Sequence, residues 1–271
     1  QGAQTSADIF NGSNDPILGK LSSQPEGFRL GHINLGAIMV ADDLALTSGT
    51  ESGMQTLINY AGNDASRRRY IFSETKTKVQ ANKFCPPTRS PITLNNNPLE
   101  ISDEETHLGI RRCSNLSNKP TIEARTNTGR KSVYKLAGAG LYGFNGLNPA
   151  VAKHLIDIYV MPCMTYGLEC LVLNSHEIDP METFYRGLLR RIQHLPSSTA
   201  NAAVYLLLGA LPVEAIIHIK VLNLFGNIMR QEDSVEYQVM ERQLGMKGAD
   251  SLSWAVYARE LLAKYNLPSP L

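Results

Sequence analysis

Apolar positions along this chain change their spacing near residue 120. Before it they come in short runs separated by turn formers, as strands require. After it they recur at three- and four-residue intervals, as helices require. In the first part, Ala3–Leu21 is mixed and helical in part. Phe28–Val40 and Leu44–Ser48 read as two β-strands joined at Ala41-Asp42-Asp43, where aspartate suits a turn because its carboxylate bonds nearby backbone. Thr50–Arg67 is predicted helical, with Met54, Leu57, Ile58 and Ala61 on one face. Tyr70–Phe72 and Thr77–Gln80 are short and extended. Pro86, Pro87 and Pro91 mark a loop. Ile92–Leu94, Leu99–Ile101 and His107–Ile110 read as short strands, the first two divided by Asn95-Asn96-Asn97.

The remainder reads as helices. Ile122–Tyr142 is the first. Asn148-Pro149, a capping residue followed by proline at the first helical position, opens a second that runs to about Glu169. Pro180–His194 is amphipathic through Phe184, Leu188, Leu189 and Ile192. Ser198–Leu208 is short and stops at Gly209. Pro212 opens a helix to Met229, and two more lie near Ser234–Leu244 and Ser251–Tyr265.

Composition adds limits. The chain has 271 residues, 43% hydrophobic and 19% charged, so it can bury a core. Cys85, Cys113, Cys163 and Cys170 lie far apart with no CxxC pair, which reads as reduced thiols in an intracellular protein, nucleus or cytoplasm unresolved. No apolar run approaches the ~18 residues of a membrane helix. The six histidines are scattered and no GxxxxGK[ST] loop is present, so neither a histidine-based hydrolase nor a P-loop ATPase is expected. The net charge of +1 hides an uneven distribution. Residues 1–60 hold six carboxylates against two bases, a net −4, and residues 111–140 hold seven bases against Glu123, a net +6. An acidic site and a basic arm in one chain are the layout expected where divalent metal works on a polyanion, although a solvated helix face reads the same way.

The sharpest local feature is Asp42-Asp43, entered by Ile38-Met39-Val40 and left by Leu44-Ala45-Leu46. Paired carboxylates at a hairpin tip suit hard cations such as Mg²⁺, and two such ions can clamp an in-line phosphoryl transfer. The alternative is an ordinary surface turn, but a solvated turn seldom needs apolar strands so close on both sides.

This stretch resembles the motif C hairpin of reverse transcriptases, in the form found in retrotransposons that lack long terminal repeats (LINE-type elements). Other pieces agree in order. Gln1-Gly2 through Phe10-Asn11 resembles motif B, with Ala7 where the family has proline. Lys76-Thr77-Lys78-Val79 resembles motif D. His107-Leu108-Gly109-Ile110 resembles the primer grip, and Tyr166-Gly167 with Leu188-Leu189-Arg190-Arg191 is similar to thumb and post-thumb segments.

The resemblance implies an α+β fold: residues 1–112 as the C-terminal part of a palm, residues 113–271 as a helical thumb and post-thumb region. It implies RNA-directed DNA synthesis, with an RNA template, a DNA primer and dNTP as partners and Mg²⁺ or Mn²⁺ as cofactor. Asp42 and Asp43 would hold the metal, Asp42 more directly. Lys76 would neutralise or protonate the leaving pyrophosphate. Gln1 and Gly2 would contact template and the forming base pair, and Leu108, Gly109 and Ile110 would position the primer end. Arg125, Arg130, Lys131 and Lys135 would ride on the template–primer backbone. Val40 departs from the family's usual aromatic residue. The family's third metal-binding aspartate lies upstream of motif B, and the chain opens at Gln1 without an initiator Met, so the expectation is a fragment inactive by itself. The competing expectation is a non-catalytic remnant that binds nucleic acid or protein.

Overall fold

The computed structural model describes residue 12 and residues 16–82, 91–143, 146–248 and 250–268. The fold is α+β. It divides into two compact units: residues 1–105 with 113–116, and residues 106–112 with 117–271.

The first unit is built from short paired strands around one long helix. Residues 16–22 are helical (α1). Arg29–Leu30 (β1) pairs antiparallel with Ile33–Asn34 (β2), and Ala37–Val40 (β3) with Asp43–Leu46 (β4). The single strand expected over Phe28–Val40 is thus three pieces, because the chain turns back at Gly31-His32, where Gly31 has φ of 69°. Glu51–Arg67 forms α2, whose N-cap Thr50 accepts from the Gly53 N–H. Met39, Leu44 and Leu46 from the β3–β4 hairpin pack on Ile17 and Leu21 of α1 and on Leu57 and Ala61 of α2. Side chains alternate across a strand, so Ile38 and Val40 face outward and are 51% and 47% exposed.

Beyond α2, Lys78–Val79 (β5) pairs parallel with Glu100–Ile101 (β8). Thr93–Leu94 (β6) and Asn97–Pro98 (β7) form a hairpin. Asn95 and Asn96 both take left-handed φ, 50° and 69°, the pair of angles a type I′ turn needs. The carboxamide of Gln55 on α2 donates to the Thr93 carbonyl and accepts the Thr93 N–H, both at 2.8 Å, and so ties β6 to the helix. Glu104–His107 (β9) pairs with Ile110–Cys113 (β10). The strand expected over His107–Ile110 is the reversal between them: Leu108 and Gly109 have φ of 49° and 78°.

The second unit is helical, with one continuous core. Its helices are α3 (Lys119–Gly138), α4 (Pro149–Tyr159), α5 (Met161–Thr165), α6 (Ser175–Ile192), α7 (Asn201–Leu206), α8 (Val213–Met229), α9 (Val235–Met246) and α10 (Trp254–Lys264). The helix expected from Asn148 to about Glu169 is broken. Pro162, which has no N–H to donate, starts the separate α5, and Tyr166 is extended before Gly167 at φ of 76°. Conversely, α6 begins five residues earlier than expected, at Ser175. Asn174 and Glu177 form a reciprocal capping box there, and Pro180 lies inside the helix. No helix among the described residues is long and apolar enough to cross a membrane.

Two polar contacts hold the helices in place. The carboxylate of Glu182, buried on α6, accepts from the hydroxyl of Tyr205 on α7 and from the Val213 (2.8 Å) and Glu214 (3.3 Å) N–H groups at the start of α8. Pro212, the α8 N-cap, offers no side-chain bond, so Glu182 does the capping from another helix. One turn further along α8, buried His218 bonds through Nδ1 to the Tyr265 hydroxyl at 2.8 Å. Glu214, Lys264 and the Tyr257 ring surround it.

The variant Glu182→Ala strands three donors, and urea unfolding is expected to show a loss of about 2–4 kcal/mol; unchanged stability would contradict the cross-helix cap. Burial, aided by Lys264 and opposed by Glu214, lowers the His218 pKa below its ordinary 6.5. The folded state therefore favours neutral imidazole. This contribution is complete above the unfolded value and is lost as pH falls below it, because the unfolded chain takes up the proton first. Unfolding midpoints of wild type should drop between pH 7.5 and 5.5 more than those of His218→Gln; parallel pH profiles would exclude His218 as a source.

Candidate functional site

Asp42 and Asp43 stand at the tip of the β3–β4 hairpin. Val40 pairs with Asp43, so the loop is Ala41-Asp42 and Asp43 is already the first residue of β4. The turn is therefore one residue shorter than the expected Ala41-Asp42-Asp43. Ala41 holds φ of 53°, a left-handed angle that costs a non-glycine residue about 1 kcal/mol. Both aspartates are exposed, and neither carboxylate has a hydrogen bond or ion pair among the described residues. The apolar flanks are accounted for by the inner face, Met39, Leu44 and Leu46, which fixes the hairpin on α1 and α2. The tip thus presents two adjacent oxygen-donor groups on an anchored support. Hard cations take such donors. Among the described residues no group of three or more His, Cys, Asp or Glu is gathered in one place, so the hairpin offers two carboxylates and no third.

Lys76 lies in the same unit, exposed, in a turn where its N–H donates to the Ser73 carbonyl at 3.2 Å. Its neighbour Lys78 is different, being ion-paired across the β5–β8 ladder to Glu100. Gln1 and Gly2, with the rest of the motif B stretch, lie outside the described residues, as does Cys85. Cys163 and Cys170 are free thiols.

Leu108, Gly109 and Ile110 belong to the helical unit. The Arg125 guanidinium on α3 donates to the Gly109 carbonyl and lies 4.6 Å over the Tyr166 ring. Ile110 packs against Gly167 so closely that a Cβ there would stand 2.8 Å from Ile110 Cγ1. The Thr121 hydroxyl donates to the Arg111 carbonyl at 2.6 Å. The turn is thus held from α3 and from the segment that follows α5. The four basic residues expected to act together on α3 are placed unequally. Arg125 is half-buried and occupied with Gly109 and Tyr166. Arg130, Lys131 and Lys135 are exposed.

Alongside Arg130 runs a groove between α3 and α6, which sequence reasoning did not foresee. Two cavities, of about 640 and 260 Å³, share Arg130 in their walls. The smaller is walled by Tyr134, Tyr142, Phe184 and Arg191. Arg130 lies over the Phe184 ring (5.5 Å) and Arg191 over the Tyr142 ring (5.9 Å). The signal in the sequence was the Arg130–Tyr134 pair, one helical turn apart.

In the comparisons with known proteins, no family model and no curated protein matches the chain.

Gly109 is where the hairpin turn admits least change. Its φ of 78° is left-handed, and an added Cβ would lie 2.8 Å from the Arg125 guanidinium. Gly109→Ala is expected to lower stability by about 1–2 kcal/mol and to release the Arg125 clamp. Amide hydrogen exchange at Ile110 and Arg111 should accelerate in that variant and in Arg125→Ala. Unchanged protection in both would show that the clamp does not hold the turn.

Proposed function

We propose that this chain is part of an RNA-directed DNA polymerase of the LINE type, carrying the C-terminal part of the palm and a helical thumb-like region. It would serve the transfer of a nucleotide from dNTP to the 3′-hydroxyl of a DNA primer on an RNA template. The observation that carries the reading is the Asp42-Asp43 tip: two exposed carboxylates, unpaired among the described residues, on a hairpin whose other face packs on α1 and α2. Two like charges side by side with no cation from the protein repel each other, and a bound divalent cation relieves that repulsion.

Asp42 and Asp43 would hold Mg²⁺ or Mn²⁺, which when bound activates the attacking hydroxyl and neutralises charge on the leaving oxygen. The chain's own residues supply the rest. Exposed Lys76 is available to neutralise or protonate pyrophosphate. The Leu108–Ile110 turn, stiffened by Arg125, positions the primer end. Lys131 and Lys135 contact backbone phosphates, which position a nucleic acid without reading its sequence.

The test is primer extension on an RNA template with Mg²⁺, by the protein made from the longest reading frame that contains this chain. Asp42→Ala is expected to lower extension at least about a hundredfold, while salt-dependent binding of template–primer persists. Extension that survives Asp42→Ala would sink the reading. Binding without extension in the wild type would favour the non-catalytic alternative, a nucleic-acid-binding module with an inherited turn.

A further inference from the structure

We infer that the groove between α3 and α6 binds single-stranded nucleic acid, with a base stacked on Tyr134 and phosphates held by Arg130 and Arg191. This goes beyond the polymerase reading and does not need it.

Three observations carry the inference. The first is shape. Lys119, Arg130 and Tyr134 lie on the wall supplied by α3, a span of about 22 Å at the helical rise, and the groove is therefore a channel longer than one nucleotide. The second is chemistry. The narrower end is lined by Tyr134, Tyr142 and Phe184 and by two guanidinium groups, with no carboxylate among its lining residues; Tyr142 and Phe184 pack in part on the core and carry Arg191 and Arg130, so the open ring is Tyr134. Tyr134 is 69% exposed, and nothing in the hydrophobic core calls for it. Aromatic faces beside a basic groove are what strand-binding proteins use: every base has a π-face to stack, and the backbone follows the positive charge. The third is preorganisation. Arg130 over Phe184 and Arg191 over Tyr142 hold the guanidinium groups at the rim through cation–π contact. Both arginines therefore stand in place before a ligand arrives.

The wider end is different. Lys119 and Arg130 are balanced there by Glu123 and Glu177, and Glu177 is engaged in capping α6. The positive potential is therefore concentrated at the Arg130–Arg191 end, and that end takes the phosphates. A paired duplex keeps its bases stacked on one another and offers the open ring nothing, so the preference is for unpaired strand. An acidic peptide would satisfy the arginines but leave the open ring unused.

The experiment is fluorescence anisotropy of the whole chain with labelled single-stranded RNA and DNA of about twelve nucleotides, a template–primer duplex and oligoglutamate, each at two salt concentrations. Single strands are expected to bind more tightly than oligoglutamate. Tyr134→Ala should weaken single-strand binding about tenfold with the salt slope unchanged, and Tyr134→Phe should restore it, because the ring and not the hydroxyl does the stacking. Arg191→Gln should reduce the salt slope by about 0.7, the loss of one phosphate contact. Duplex binding should change less than about twofold in all three variants. Tyr134 is exposed, so its replacement does not threaten the fold. Equal binding by wild type and Tyr134→Ala, or equal weakening of duplex and single strand, would overturn the proposal, and so would oligoglutamate binding as tightly as RNA. The polymerase reading stands or falls at Asp42 in extension, and this one at Tyr134 in binding.

Discussion

The helical unit is organised around a buried carboxylate that has no ion pair among the described residues. Glu182 sits in the core of α6 and is satisfied by a tyrosine hydroxyl and two backbone N–H groups. A buried charge is costly unless its lone pairs are met. Here they are met by the exposed donors of a helix N-terminus, which also carries the positive end of the helix dipole. The arrangement settles three things together. The chain leaving Gly209 must bring Val213 to α6, Tyr205 must turn inward beside Tyr185, and α8 must start where Glu182 can reach it. With α8 fixed there, the apolar stripe of Val213, Ile217, Val221 and Phe225 falls into the core without further direction.

The strand-bearing unit solves a different problem. Among the described residues its strands are short and paired two by two. Such pairs are marginal unless one face is covered. The β3–β4 hairpin is covered on one face by α1 and α2, and this lets its tip bear two unpaired aspartates and a left-handed alanine. Both tips of interest, Ala41 and Leu108, place a non-glycine residue at positive φ. Conformations of this kind survive where the surroundings enforce them, and they concentrate at functional turns. For Leu108 the enforcing group is visible: Arg125 grips the next carbonyl. For Ala41 it is the registry of apolar residues two positions away on each strand.

How far the sequence disclosed this varies with the physics of each element. The helix from Pro212 to Met229 was legible because a proline opens it and nothing interrupts it. The start at Asn148-Pro149 was legible for the same reason, but its end was not, because apolar periodicity continues through Pro162 although the hydrogen-bond ladder does not. The beginning of α6 was written in the chain as Asn174 and Glu177 and was overlooked because Pro180 looked like a start. Phe28–Val40 read as one strand because period-two hydrophobicity does not show a reversal at Gly31. Asp42-Asp43 could be located from adjacent residues. The groove could not, since Arg130, Tyr142, Phe184 and Arg191 meet only after α3 packs on α6, and no local pattern encodes that meeting.

The charge balance bears on how such a chain could hold a polyanion at all. With a net charge of +1, long-range steering is weak, and non-specific attraction along a backbone cannot supply much affinity. The positive groups must therefore be concentrated, and some of them are already occupied: Arg125 is turned to a carbonyl, Arg190 to the Thr199 carbonyl and the Asn201 carboxamide, and Lys153 to Asp157. What remains open on α3 and α6 is a small set in which each cation stands near an aromatic ring or on a single exposed stripe. A surface with few free cations gains more from each stacked base than from each added phosphate contact. In the proposed reading, rings placed beside arginines are how a nearly neutral chain grips an unpaired strand.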